Sequence, residues 1–86
     1  MEMGNEEESI QDLKCLLGNM GMDIFFAIYN GAKDFETMKI FSGLPMACIK
    51  GRVPVLLELK LIVKNNEGYF LTGKGLSFNE KIESNS

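Results

Sequence analysis

The sequence predicts an α+β fold that is mostly helical and carries one β-hairpin in its C-terminal half. The first observation is the turn Ser42-Gly43-Leu44-Pro45, which separates two amphipathic segments. The second is an apolar stripe with helical spacing in the longer segment, and the third is a change to short β-branched and aromatic runs after Leu59. Together these features predict a helix-turn-helix followed by a β-hairpin wing.

Two local signals define the turn. Gly43 can adopt the left-handed conformation that ends a helix, and Pro45 suits the first position of the next one. The second helix is predicted at about residues 45–59. Its apolar residues recur at spacings of four and three, as expected for a helix packed on a core; they are Ile49, Val53, Leu56 and Leu59.

A proline lies inside this second helix. Pro54 lacks a backbone N–H and its ring crowds the carbonyl four residues back, at a cost of about 3 kcal/mol if unrelieved. Since Gly51 adds flexibility just before it, we expect a kink or break at residues 51–53. We also expect the C-terminal half of the helix to expose Val55 or Leu57.

The wing is predicted at residues 61–72 from two runs, Leu61–Val63 and Tyr69–Leu71. The residues between them include two asparagines and a glycine, which we expect to supply positive φ angles at the tip. Thr72 then caps a last helix from Gly73 to about Ile82.

Two helices are predicted before the helix-turn-helix. The first runs from about Glu7 to Leu17 because four apolar residues fall on one face: Ile10, Leu13, Leu16 and Leu17. Gly18 ends it, and Asn19 caps the most hydrophobic helix of the chain, which ends at Gly31.

The link to the helix-turn-helix is predicted to be extended. Residues 32–35 would supply a third strand to the wing sheet, with Phe35 pointing into the core. Asp34 or a neighbour caps the following helix, Glu36–Phe41, in which Met38 and Phe41 face inward.

Length and composition predict a single small domain. We assign residues 9–82 to the domain, 1–8 to an acidic flexible tail and 83–86 to a polar tail. There is no apolar run of about 18 residues and no signal-peptide pattern, which predicts a cytoplasmic protein without a membrane span.

The charges are unevenly distributed. The net charge of the whole chain is −3, which by itself argues against nucleic-acid binding. Between Lys39 and Lys74, however, six basic side chains face only two acidic ones, a net charge of +4. The helix-turn-helix and the wing are therefore the basic part of the molecule.

No catalytic or metal-binding pattern is found. The chain has no histidine, and no serine, cysteine or carboxylate is flanked by the partners of a nucleophile or an acid–base pair. Cys15 and Cys48 are interpreted as reduced structural thiols, with a redox switch or a metal site shared across a dimer as the alternative. We therefore expect that the protein is not an enzyme and that it binds neither a cofactor nor a small-molecule ligand.

Several short motifs resemble winged-helix transcription regulators of the ArsR and MarR type. The motifs are Leu16-Leu17-Gly18-Asn19, Ser42-Gly43-Leu44, Leu61-Ile62 and Tyr69-x-Leu71-Thr72-x-x-Gly75. The similarity covers roughly Leu13 to Leu76, and the compact form resembles small regulators of archaea and their viruses. One departure is that Lys39 stands where the family has a small buried residue, and Ile40 where it has a polar one.

The resemblance implies a homodimeric regulator of transcription that binds double-stranded DNA through its recognition helix and wing. The residues expected at the DNA are Met46, Ala47, Lys50, Gly51, Arg52, Lys64, Asn65 and Asn66. The residues expected at the dimer interface are Ile10, Leu13, Leu17 and Leu57. For the first helix, the alternative is that its apolar residues only cover the domain's own core.

A second function is compatible with the same fold. The acidic net charge, Pro54 and the apolar residues of the recognition helix favour a winged helix used as a protein-interaction module in a transcription or replication assembly. Association that does not depend on salt would distinguish this function from DNA binding.

Overall fold

A computed structural model describes residues 10–84. This part of the chain folds as the predicted α+β winged helix-turn-helix. Its elements are α1 (Ile10–Tyr29), α2 (Phe35–Ser42), α3 (Met46–Glu58), β1 (Ile62–Asn65), β2 (Gly68–Leu71) and α4 (Gly73–Ser84). The predicted acidic tail at 1–8 lies outside the described residues, whereas Glu83 and Ser84, expected in the polar tail, belong to α4.

Helix α1 contains the break that the sequence predicted. Gly18 has φ 69° and ψ −180°, so the helical backbone is interrupted there before it continues to Tyr29. Both parts contribute to one core, through Leu13 and Leu17 before the break and Phe25 after it. The two predicted helices therefore form, as the two segments of α1 that meet at this kink.

The helix-turn-helix forms as predicted. Helices α2 and α3 meet at 107°, within the range that is usual for this motif. Gly43, at φ 75°, ends α2 and donates its N–H to the Lys39 carbonyl at 2.8 Å. At the other end of α2, Asp34 Oδ1 accepts the Thr37 N–H at 2.8 Å, which lowers the pKa of the Asp34 carboxyl.

The predicted faces of α2 are partly wrong. Met38 is fully buried, but Phe41 is 51 % exposed and Ile40 is 74 % exposed. Helix α2 has eight residues, and Met38 is the one that is buried, so the helix covers the core with one narrow side. Two large apolar side chains therefore lie at the surface.

The extended link does not form a third strand. The described chain contains one two-stranded sheet, and the link contributes a single bond, from the Tyr69 N–H to the Lys33 carbonyl at 3.0 Å. Phe35 begins α2 instead, where it is half-buried and stacks on the Tyr69 ring at a centroid distance of 5.7 Å.

Helix α3 runs from Met46 to Glu58 without the predicted break. Pro54 is exposed, and so is Lys50, whose carbonyl would have accepted the missing N–H. Water can hydrate that carbonyl, so the proline is tolerated on this side of the helix. Val55 and Leu57 are half-buried against the core, not exposed.

Helix α3 ends in a motif that the sequence did not indicate. Leu61 donates its N–H to the Leu56 carbonyl at 3.1 Å, and Lys60 donates to the Leu57 carbonyl at 3.0 Å. This is the Schellman arrangement, in which the residue at the position of Lys60 is usually glycine. Lys60 has φ 65° and is the only non-glycine residue between 10 and 84 with a positive φ.

One residue connects the end of α3, the hairpin and α4. The Thr72 hydroxyl donates to the Lys60 carbonyl at 2.6 Å and accepts the Gly75 N–H at 3.0 Å, which confirms its predicted role as a helix cap. The Thr72 N–H also donates to the Leu61 carbonyl at 3.0 Å. We call this region the α3–wing joint, defined by Lys60, Leu61, Thr72 and Gly75.

The wing is a regular antiparallel hairpin in which Ile62 pairs with Leu71 and Asn65 with Gly68. Its tip is stabilised by Asn65 Oδ1, which accepts the Glu67 N–H at 2.7 Å. Within the wing only Gly68 has a positive φ, so the expectation that the asparagines would supply one is wrong. An asparagine side chain that mimics a backbone turn stabilises the tip instead.

Candidate nucleic-acid interface

The outward face of α3, defined here as Ala47, Lys50, Gly51 and Pro54, is the first part of the candidate site. All four residues are exposed. Their spacings of three, one and three place them on one side of a helix. The opposite side carries the buried residues Ile49, Val53 and Leu56, so the predicted core stripe fixes which side of α3 faces outward.

This face is small and basic. Ala47 and Gly51 project little beyond the backbone, and nothing lies within 4 Å of the position a Gly51 side chain would take. The Lys50 side chain makes no hydrogen bond or ion pair with any residue from 10 to 84. The first acidic side chain on α3 is Glu58, in its last turn, so the N-terminal half of the face is free of negative charge.

Two predicted contact residues of α3 lie off this face. Met46 is half-buried and packs against the core, which leaves little of its side chain for a partner. Arg52 is also half-buried and lies two positions from Lys50, about half-way around the helix. Ala47, Lys50 and Gly51 are therefore the better-placed α3 residues of the predicted set.

The wing tip brings together the second group of predicted residues. Lys64, Asn65 and Asn66 are all exposed and line one shallow depression of about 480 Å³. The Lys64 Nζ atom lies 5.7 Å from the centre of the Tyr69 ring, a cation–π contact that orients the ammonium group. The Tyr69 ring also stacks on the Phe35 ring, and this contact helps to hold Tyr69 in position.

One basic residue near the wing was missed. Lys33 lines the same depression as Lys64, and its Nζ atom lies 5.4 Å from the centre of the Phe70 ring. Its position in the link carried no sequence signal. Only the bond between the Lys33 carbonyl and the Tyr69 N–H places it beside the wing.

The predicted dimer residues differ in exposure. Leu13 and Leu17 are only 4 % and 1 % exposed, so they belong to the domain's own core. Their side chains are therefore not free to form the predicted dimer interface. Ile10 and Leu57 are half-buried. The large apolar residues that α1 does expose are Leu16, at 55 %, Tyr29, at 44 %, and Met20, at 40 %.

The two cysteines are free thiols, and Cys15 is exposed whereas Cys48 is half-buried. In the part of the chain that the structure describes, no cluster of three or more histidine, cysteine, aspartate or glutamate side chains could hold a metal ion. No single helix within this part is long and apolar enough to cross a membrane.

Comparison with models of known protein families finds no match, and comparison with curated proteins finds none either. The fold and the surface chemistry therefore have to support any functional proposal by themselves.

Proposed function

We propose that this protein is a DNA-binding transcription regulator that inserts α3 into the major groove of double-stranded DNA. The observation that carries the proposal is the outward face of α3: small, exposed, and basic through Lys50, on the second helix of a helix-turn-helix. The wing adds Lys64 and Lys33 as candidate phosphate contacts.

The chemistry of the face supports affinity more than sequence discrimination. Ala47 and Gly51 allow the helix backbone to approach the groove closely, and Lys50 can donate to base edges or to phosphates. A lysine gives phosphate affinity with little sequence information. We therefore expect binding that falls steeply with salt, with a sequence preference set mainly by Lys50.

We further propose that the regulator acts as a homodimer, because two-fold dimers are the most common soluble oligomers and match palindromic DNA sites. With Leu13 and Leu17 buried in the core, the predicted contacts that remain are Ile10 and Leu57, and exposed Leu16 is a further candidate. Light scattering after size-exclusion chromatography tests this: Leu16→Glu should convert a dimer into a monomer.

The decisive experiment is a fluorescence-anisotropy titration against a pool of random double-stranded DNA at several salt concentrations. Lys50→Ala and Lys64→Ala should each weaken binding and reduce the slope of log affinity against log salt by about one. Lys81→Ala is the matched control, because it removes the same charge from an exposed position on α4. Failure to bind at low salt, or an equal loss with Lys81→Ala, would contradict the proposal.

A second candidate function has its own supporting observation. Ile40 is exposed on α2 where the family that the sequence resembles carries a polar residue, and Phe41 beside it is exposed as well. This favours a protein-interaction module. Salt-insensitive capture of a protein partner that is lost in Phe41→Ala, together with absence of DNA binding, would support this function over the first.

A further inference from the structure

A depression of about 420 Å³ lies between α1 and α2, away from the outward face of α3. Its α1 wall is a stripe with spacings of three, one and three, which is one face of a helix. Its α2 wall is the last two residues of that helix. The residues that line it are Asp23, Phe26, Ala27, Asn30, Phe41 and Ser42.

The polar groups of this depression are suited to receive a hydrogen-bond donor. Asp23 is exposed, and its carboxylate makes no hydrogen bond or ion pair with residues 10–84. Asn30 donates one of its two amide N–H groups to the Phe26 carbonyl at 2.9 Å, and its oxygen Oδ1 accepts no hydrogen bond from residues 10–84. No basic side chain lines the depression, and Lys39, in the last turn of α2, is not part of it.

The end of α2 adds negative partial charge at the same place. The last carbonyls of a helix lack partners, and the helix dipole is negative there. At this end the Leu44 N–H is taken by the Ser42 hydroxyl at 3.1 Å, and residue 45 is a proline without an N–H. The carbonyls of Ile40 and Phe41 therefore lack the helical partners they would otherwise have.

Two aromatic rings complete the site. Phe26 is half-buried and Phe41 is half-exposed, although the sequence pattern had placed Phe41 in the core. The face of an aromatic ring attracts a cation. The cation–π contacts within the described chain are at Phe70 and Tyr69, on the wing, so neither ring of the depression already holds a cation. The Phe26 ring contacts the buried Phe25 ring at a centroid distance of 5.6 Å, so Phe41 is the more accessible of the two.

We propose that this depression binds an arginine side chain of a partner protein. A guanidinium group is planar, stacks on aromatic rings and donates in a fork that matches a carboxylate such as that of Asp23. Exposed Ile40, next to Phe41 in the sequence, offers apolar surface to the residues that flank the arginine. A metal ion would bind less well, because Asp23 is the only charged ligand among the described residues that line the depression.

An NMR titration of the ¹⁵N-labelled full chain tests the proposal. The probe is the peptide Ac-Leu-Arg-Leu-NH₂, and its control carries citrulline, which has nearly the shape of arginine without the charge. The arginine peptide should shift the amide signals of the lining residues in a saturable manner. The citrulline peptide should bind about ten-fold more weakly, in line with a charge-assisted contact near an aromatic ring.

Substitutions locate the effect. Asp23→Asn and Phe41→Ala should each lower the affinity for the arginine peptide by roughly 3- to 10-fold, since each removes one of the proposed contacts. The matched controls are Glu80→Gln, which removes the same charge from exposed α4, and Leu76→Ala, which trims a side chain exposed to a similar extent. Both should bind as the unmodified chain does.

Three results would overturn the proposal: no saturable shift at millimolar peptide, equal binding of the citrulline peptide, or an equal loss in the Glu80→Gln control. Unchanged circular dichroism of the Asp23→Asn variant shows that a loss of binding is not a loss of folding. Lys50→Ala should leave peptide binding intact. The proposal of an arginine site can therefore be contradicted while the proposal of DNA binding holds, and the reverse.

Discussion

The outward face of α3 and the α3–wing joint follow one another along the chain, but they differ in how many contacts their residues make. Residues of the joint are packed and hydrogen-bonded, whereas side chains of the outward face are not. At the joint, the Thr72 hydroxyl has two partners, and a side-chain carbon at Gly75 would collide with the Leu61 carbonyl oxygen. On the outward face, the Lys50 side chain has no partner within the described chain, and nothing lies within 4 Å of the position that a Gly51 side chain would take.

This difference separates residues that hold the fold from residues that are available for function. A hydroxyl with satisfied bonds and a glycine packed against backbone stabilise the position of the wing, so their removal should lower the free energy of unfolding. An exposed lysine without partners contributes little to stability. Substitutions in the two regions should therefore change different measured quantities.

The largest effect is expected for Gly75→Ala. The added carbon would meet the Leu61 carbonyl, which is backbone and cannot move aside as a flexible side chain would. We expect the free energy of unfolding to fall by roughly 2–4 kcal/mol in urea denaturation. Gly51→Ala is the control and should raise it by about 0.5–1 kcal/mol, because alanine is the better helix former. Equal effects at the two glycines would remove the distinction between the regions.

Thr72→Val should cost about 1–2 kcal/mol, because it removes a helix cap and leaves the Lys60 carbonyl without its side-chain partner. Thermal unfolding of Thr72→Val and Thr72→Ser gives the comparison. The serine variant keeps the hydroxyl and should retain most of the stability. A serine variant as unstable as the valine variant would show that the methyl group, not the hydroxyl, is what the joint requires.

Lys60→Gly should stabilise the joint by about 0.5–1 kcal/mol, since glycine adopts the left-handed conformation at φ 65° without steric cost. Lys60→Ala keeps a Cβ atom and should leave the unfolding free energy nearly unchanged. Urea denaturation measures both. A gain of the same size in the alanine variant would assign the effect to the lysine side chain and not to the backbone.

The smallest effect is expected at Asp34, which caps the exposed end of α2. The Thr37 N–H holds the folded-state pKa of this carboxyl below its ordinary value. Its contribution to stability is therefore complete above the unfolded-state pKa of about 3.9 and is lost as the pH falls through the folded-state pKa. The Asp34→Asn variant keeps a capping side chain without a charge, so the difference in melting temperature between the two proteins should shrink from pH 7 to pH 3. A constant difference would contradict this assignment.

Part of the fold was predictable because its causes lie within a few residues. The break at Gly18, the cap at Asp34 and the cap at Thr72 each depend on a backbone conformation or a hydrogen bond that spans no more than three or four positions. The core side of α3 followed from the spacing of its apolar residues, and that side fixed the outward face.

Other features were not predictable from local pattern. The three-residue spacing of Met38 and Phe41 predicted that both would face the core, yet only Met38 is buried. The angle between α2 and its neighbours decides which side of the helix meets the core. Lys60 gives no signal of a positive φ. It adopts one because Leu61 must reach the core beyond the end of α3.

The sequence by itself determined the order of the helices, the break at Gly18, the caps at Asp34 and Thr72, and the basic character of the region from Lys39 to Lys74. Tertiary structure alone decided that Leu13 and Leu17 are core, that Lys33 stands beside the wing and that Asp23, Asn30 and Phe41 surround one depression. The physical reason is range: caps and apolar spacing act within a turn or two of chain, whereas burial and surface sites depend on how whole helices pack against each other.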